Sequence, residues 1–473
     1  MGTVRRVAGN VLLLSFAQIA ALAILFLVNI HLARTLGVAG FGRINFAWAV
    51  ALYFTLVTNL GLTILGTREV ARNKDEIDRY VGNILSLRIV LTILSFFLLL
   101  AFVALINKPT EVKYLIIFYG FYLFSYALLM EWLFQGIEKM GFIGISRILG
   151  SLFYGGLILL LVKDAKQIML VPWLWFGGGL FASGFLIYIF IRRFGIPKLK
   201  FDFPFWKSML KIALPMGAAF VMIQVYYNFG IVILGFMKND EVVGWYGAAY
   251  RAVLFIWRFI PLFILAIFPL MSKYYKESKE KLKLLISSAT KLMSTVALPL
   301  GIGGTILAKP IMTFLYGEEY INGVIALQIL IWTVVIISIR CSYEQSFLAC
   351  NREKRYLLGV MTGAGTNIVL NLILIPYFSF KGAAIAAVIS EFVFSLYMFF
   401  YFKIVSRRKM VKYLFKPFLA ASFMGFLLYY LKDLNLFLSI LIGIAIYLIT
   451  ILLLKGITWE ELGWLKRQIM KKA

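Results

Sequence analysis

Carboxylates, histidine and cysteine are all in short supply in this chain, and each shortage excludes some chemistry. His31 is the one histidine in 473 residues, so no cluster of imidazoles can hold a metal. It reads as outer-leaflet packing in preference to a proton switch. The two cysteines, Cys341 and Cys350, share one apolar segment without CxxC spacing, and read as small buried thiols instead of a redox pair or zinc site. Asp and Glu number 21 against 48 Lys and Arg, a formal net charge of +27. No GxxxxGK(S/T) loop occurs, and no connection is long enough for a nucleotide-binding domain, which excludes an ATP-driven pump. No cofactor is expected.

What the chain has in excess is apolar surface. It is 62% hydrophobic with a mean hydropathy of +0.91, more than a soluble protein can bury, since average composition is roughly 45–50% apolar. Uncharged windows such as "VLLLSFAQIAALAILFLVNI" (Val11 to Ile30) recur throughout, and about 20 such residues cross a bilayer as a helix. Short alternating segments, the mark of a membrane barrel, are absent. The fold class is an all-α polytopic membrane protein with about fourteen spans, from 8–33 to 436–454. The first run is too long for the core of a cleavable signal and reads as the first span.

The positive charge sorts by loop. With the amino terminus inside, about 34 of the 48 Lys and Arg fall in the even-numbered loops and the tails, against about 10 outside. Both termini are therefore expected in the cytoplasm. The charge reads as topology and contact with anionic lipids, not as a nucleic-acid surface. Two cytoplasmic pieces, "FDFPFWKSMLK" and "TWEELGWLKRQIMKK", combine aromatic and aliphatic residues with lysines and are expected to lie in the interface. Thr458 and Glu461 have capping-box spacing.

An internal repeat organises the rest. "RTLGVAGFGRINFA" (Arg34 to Ala47) and "LGFMKNDEVVGWYGAAYRA" (Leu234 to Ala252) share a glycine-marked turn leading into a span. Six spans separate the copies, so both turns emerge on one side, as in parallel-repeat transporters. The expected domains are two six-helix halves, 1–200 and 201–405, and two additional helices with an amphipathic tail, 406–473. Arg34 and Arg43 read as interface anchors, and Asp240 and Glu241 as solvent-facing.

Charges inside spans cost roughly 2.5–3.5 kcal/mol each on insertion scales, so they pair or line wet cavities. Arg88 lies near an inner end and can snorkel. Arg251 sits near an outer end. Arg258, mid-span in "AVLFIWRFIPLFILAIF", is either a cavity residue, the favoured reading, or half of a structural pair. Arg340 and Glu344 are one turn apart, consistent with a local ion pair. Glu131, Glu344 and Glu391 are candidate H+ or Na+ coupling sites or partners for arginines. Gln224, Tyr227 and Asn228, with Asn29, offer the amide and aromatic groups that a sugar needs, or that helix–helix hydrogen bonds use.

The motifs "LARTLGVAGFGRINFAWAV", "NLGLTILGTREVAR", "LPMGAAFVMIQVYYNFGIVILGFMKNDEVVGWYGAAYR" and "NREKRYLLGVMTGAGTNIVLNLILIPYFSFKGAAIAAVISE" occur in that order over roughly the first 400 residues. Together they resemble the polysaccharide transporter family, the Wzx-type oligosaccharide flippases. Their superfamily also holds multidrug antiporters and the lipid II flippase. The resemblance implies movement of a polyprenyl-diphosphate-linked oligosaccharide from the inner to the outer leaflet of the cytoplasmic membrane. It implies alternating access around a cationic central cavity, with no enzymatic step. Arg258, with Arg251, Arg340 or Arg88, is the candidate diphosphate contact. Polysaccharide polymerases or glycosyltransferases are the implied partners. Coupling to H+, to Na+ or to the membrane potential alone stays open. A cation-coupled drug exporter would favour acidic and aromatic groups over central arginine. A membrane enzyme of polysaccharide assembly would need paired acids or larger outer loops.

Overall fold

The structure is a computed structural model in which residues 2–402, 407–431 and 434–456 are described. The expected interfacial helix "TWEELGWLKRQIMKK" lies outside the described residues. All regular structure among the described residues is helical. Nine helices there are long and apolar enough to cross a membrane, or ten if the bent pair Phe203–Ala218 and Val221–Met237 is one span. The chain divides into two compact units, Met1–Gly244 and Trp245–Ala473.

The first unit runs through α1 (Gly2–Asn59), α2 (Leu62–Arg72), α3 (Ile77–Leu105), α4 (Thr110–Gly120), α5 (Tyr122–Ala127), α6 (Glu131–Gly136), α7 (Met140–Leu161), α8 (Leu170–Phe194), α9 (Phe203–Met237) and the start of α10 (Asp240–Trp257). α1 has 58 residues, about 87 Å if straight, nearly three times the roughly 30 Å of hydrocarbon. It cannot be one span. Gly37 breaks it, with φ 67° and ψ 178°, a conformation that only glycine adopts at little cost. The break lies inside the first copy of the repeated turn.

The two copies of that turn meet within this unit. A Cβ on Gly42 would clash with the Asp240 carbonyl, and one on Gly244 with the Val38 carbonyl. Each copy thus supplies the glycine that admits the other's backbone. Arg43 spans the junction, with Nε 2.9 Å from Asp240 and Nη1 2.6 Å from Glu111. Arg43 is ion-paired and Asp240 is half-buried by the pairing, which corrects the solvent reading for Asp240, while Glu241 is exposed. The seam continues along the helices. Gly235 packs on Phe46, and Gly61 and Gly217 abut near the other end. α9 therefore runs antiparallel to the second half of α1.

The segment "FDFPFWKSMLK" leads into and forms the first turns of α9. Asp202 caps it by accepting from the Phe205 amide, while the buried Trp206 donates its Nε1–H to Asn83 Oδ1 at 3.1 Å. Phe201 and Phe203 remain exposed.

The second unit contains the rest of α10, then α11 (Ile260–Glu277), α12 (Lys279–Ile306), α13 (Ala308–Tyr316), α14 (Val324–Ala349), α15 (Glu353–Tyr401), α16 (Arg407–Tyr430) and α17 (Leu436–Leu453). α15, at 49 residues, is broken at Ser379 with φ 54° and ψ −137°. α16 and α17 pack against α12 and α14 through Ala297, Ala420, Ala421, Met424 and Leu428. Tyr447 donates to the Thr295 carbonyl at 2.6 Å.

Gly42→Ala and Gly244→Ala are each expected to lower stability by about 1–3 kcal/mol, because the clash is with backbone and cannot relax by a rotamer change. Gly156→Ala, which meets open space, should be neutral or slightly stabilising. Thermal unfolding of the three variants in one detergent checks the contrast.

Candidate functional site

Charge inside the second unit collects where α14 faces α15. Arg340 is buried on α14, and its Nη2 lies 3.1 Å from the equally buried Glu391 on α15. Its Nε is 3.6 Å from Glu344, one turn along its own helix. The guanidinium sits 3.8 Å over the Phe394 ring, three residues beyond Glu391. Tyr356 donates to Glu344 Oε1 at 3.2 Å. The local Arg340–Glu344 pair is present, and the closer partner comes from the other helix. Such a buried pair is tolerated because each charge neutralises the other.

The first unit holds two arginines in different surroundings. A break at Leu60 and Gly61, with φ 40° and 84°, separates α1 from α2, and across it Thr63 donates to Asn59 Oδ1 at 2.8 Å. A second break, between α5 and α6, leaves the Leu129 carbonyl outside any helix. Arg88 fills the space between them. Its Nη2 donates to Asn59 Oδ1 at 3.0 Å and Thr63 Oγ1 at 2.6 Å, and its Nη1 to the Leu129 carbonyl at 3.1 Å. Only 2% of Arg88 is exposed, so it does not snorkel to the surface. All three acceptors are neutral.

Glu131, at the start of α6, is held by Arg147 of α7. Arg147 Nε donates to Oε1 at 2.8 Å and Nη2 to Oε2 at 2.6 Å, while Nη1 donates to Gln18 Oε1. This two-pronged geometry is the strong form of a carboxylate pair. Arg147 is the site residue that the sequence reading passes over. Its signal was a lone arginine in the otherwise uncharged run "GFIGISRILGSLFYGGLILLL".

The remaining candidates are spread out. Arg258 is exposed in a two-residue turn, with Phe259, between α10 and α11. It stands about 27 Å of helix from Asp240 and about 22 Å from Lys273. Arg251 lies two turns back on α10 and is half-buried. Gln224, Tyr227 and Asn228 are half-buried on α9, and the Asn228 amide donates to the Gln224 carbonyl of its own helix at 3.1 Å. Asn29 likewise donates to the Leu25 carbonyl, at 2.6 Å. His31 Nε2 lies 2.8 Å from the Val162 carbonyl. Among the described residues no group of three or more His, Cys, Asp or Glu side chains could hold a metal ion.

Comparison with known proteins gives a consistent set of likenesses. The model of the family described as polysaccharide biosynthesis protein matches residues 7–275. A candidate O-antigen transporter of Escherichia coli (strain K12) is 25% identical over 392 residues, covering 81% of this chain and 93% of that protein. Among solved structures, the lipid II flippase MurJ in an inward closed conformation superposes with a TM-score of 0.74 at 19% identity, over 93% of this chain and 98% of that one. An inward-facing multidrug resistance MATE family transporter does so with a TM-score of 0.65 at 14% identity, over 83% and 95%. The fold is a transporter fold.

Removing one member of the buried Arg340–Glu391 pair strands the other. Arg340→Leu and Glu391→Leu should each cost about 3–5 kcal/mol, and the double variant should regain at least half of that. Unfolding midpoints in detergent, arranged as a double-mutant cycle, measure the coupling.

Proposed function

This chain belongs to the polysaccharide biosynthesis protein family, and on that premise we propose that it moves polyprenyl-diphosphate-linked oligosaccharides from the inner to the outer leaflet of the cytoplasmic membrane by alternating access. The proposal includes fourteen spans with both termini inside, two six-helix halves at 1–200 and 201–405, and additional helices in 406–473. Anionic lipids surround the basic loops, and polymerases or glycosyltransferases are the expected neighbours. The O-antigen transport named for the Escherichia coli relative, matched over 93% of its length, supports a surface polysaccharide unit as the cargo.

The observation that carries the reading is the turn at Arg258. Non-helical backbone at membrane depth is tolerated only where it is buried in protein or lines a water-filled cavity. On the fourteen-span reading the turn between α10 and α11 lies at membrane depth, where it presents an exposed arginine with Arg251 two turns away. Cationic groups at a helix break suit a diphosphate and oppose a cationic drug. The half-buried amides and phenol of Gln224, Tyr227, Asn228 and Asn29 are assigned to the sugar.

The energetics favour this direction. A diphosphate carries about two negative charges, each worth roughly 2.3 kcal/mol per 100 mV, so an inside-negative potential drives it outward by about 4–5 kcal/mol per 100 mV. Glu131, Glu344 and Glu391 remain candidates for H+ or Na+, but all three lie within 4 Å of an arginine. That engagement supports a cycle driven by the potential alone.

In proteoliposomes holding a fluorescent polyprenyl-diphosphate oligosaccharide, the protein should expose the label to an external quencher faster than empty liposomes, and faster still with the inside negative. Arg258→Ala should slow it by about 10–100-fold, the loss of one charged hydrogen bond. Crossing no faster than in empty liposomes, across several sugars, would sink the reading. Crossing indifferent to Arg258 would remove the site while leaving the function.

A further inference from the structure

Inside the first unit, among α1, α5, α7 and α8, lies a cavity of about 170 Å³ whose charged wall residues are Arg147 and Glu131. Tyr126 and Leu129 also form its wall. Arg88 stands directly behind these two, bonded to the Leu129 carbonyl and with its guanidinium 5.8 Å from the centre of the Tyr126 ring. The charged wall pair is neutral by itself, and Arg88 adds one positive charge behind it. Among the described residues, Arg88 has no carboxylate within ion-pair distance.

The hydrogen-bond inventory leans the same way. The indole Nε1 of Trp175, a wall residue, is buried and has no acceptor, and Arg88 Nε is in the same state. A buried donor left unmade costs about 1–3 kcal/mol. The wall hydroxyls of Ser125 and Ser146 already donate to the Tyr122 and Ala182 carbonyls. Both oxygens of the one carboxylate, Glu131, are taken by Arg147. The cavity thus has an unmet indole donor in its wall, a positive charge at its back and no spare carboxylate. A cationic occupant would worsen the charge, and a neutral one would leave it uncorrected. An oxyanion answers both the donor and the charge.

We infer that this cavity binds an oxyanion of the cargo, with the anion displacing Glu131 from Arg147. At this size it takes one charged group, since sites for larger ligands span roughly 300–1,000 Å³. A carboxylate on an acidic sugar and a phosphate oxygen of the lipid linker share the required chemistry. The assignment to cargo rests on the flippase reading, whereas the anion site itself does not. Glu131 is then an internal competitor for the ligand, which gives its removal and the removal of Arg147 opposite effects. A purely structural ion pair gives no such opposition.

The test titrates the purified full chain in detergent with glucuronate, with inorganic diphosphate and with glucose as the neutral control, followed by calorimetry. The wild type should bind the anions and not glucose. Glu131→Gln should tighten anion binding by about tenfold and Arg147→Gln should weaken it by about tenfold, the scale of one charged hydrogen bond. Unfolding midpoints identify any variant that has lost its fold, and Trp175→Phe, which removes one orphaned donor without touching the ion pair, should also weaken binding. No anion binding by the wild type or by Glu131→Gln, or equal weakening in both ion-pair variants, overturns the inference. In liposomes, two cargoes on the same diphosphate lipid, one with an acidic sugar and one neutral, identify the source. Slowing of the acidic cargo alone by Arg147→Gln assigns the sugar carboxylate, and equal slowing of both assigns the diphosphate. No slowing of either, in a variant that still moves cargo, overturns the role. Should the wild type move neither cargo, the flippase reading fails, and the titration alone still decides the anion site.

Discussion

A guanidinium in hydrocarbon must be neutralised, solvated or hydrogen-bonded on every side, and this chain answers that demand in three different ways. Arg340 is neutralised, locked between α14 and α15 by Glu391 and Glu344. Arg147 is neutralised by Glu131, but beside a cavity. Arg88 is solvated by neutral oxygens alone, two from side chains and one the Leu129 carbonyl, which is available because the backbone there is broken. The break before Glu131 is thus tied to charge burial. A continuous helix would keep the Leu129 carbonyl for its own ladder.

Glycine meets a different constraint, close approach of backbone. Gly42 and Gly244 each face a carbonyl of the other turn, and Gly61 and Gly217 abut farther along. Small residues let helices approach in the way that packing within a bilayer requires. This seam also gives a physical reason why the first compact unit extends to Gly244. α9 and the second copy of the turn are held to α1 by backbone proximity, with Arg43 bridging to Asp240 and Glu111.

Much of this was legible in the sequence, and the limits have physical causes. Hydropathy reveals apolar length, so the all-helical membrane class was plain from composition and uncharged windows. It does not reveal φ and ψ, so expected pairs of spans emerge as α1 and α15, continuous except at Gly37 and Ser379. The span expected over 112–135 emerges as α4, α5 and α6. The repeated glycine turn could be read, but not that its two copies would pack on each other. Among the charges, Arg340 with Glu344 was visible because helical neighbours are fixed by spacing. Arg340 with Glu391 and Glu131 with Arg147 join different helices, and no local rule predicts those pairs. Arg88 was misjudged because depth along a helix suggested snorkelling, whereas its rotamer is set by acceptors on neighbouring segments.

On the proposed function, an anionic lipid-linked glycan crosses by way of cationic groups, driven by the membrane potential. The most direct measurement is the charge moved per cargo, recorded as a current from proteoliposomes on a conducting support while the label's crossing is counted. The account predicts about two negative charges leaving per glycan, with no requirement for H+ or Na+. Electroneutral crossing, or current that vanishes when either cation is removed, would contradict it.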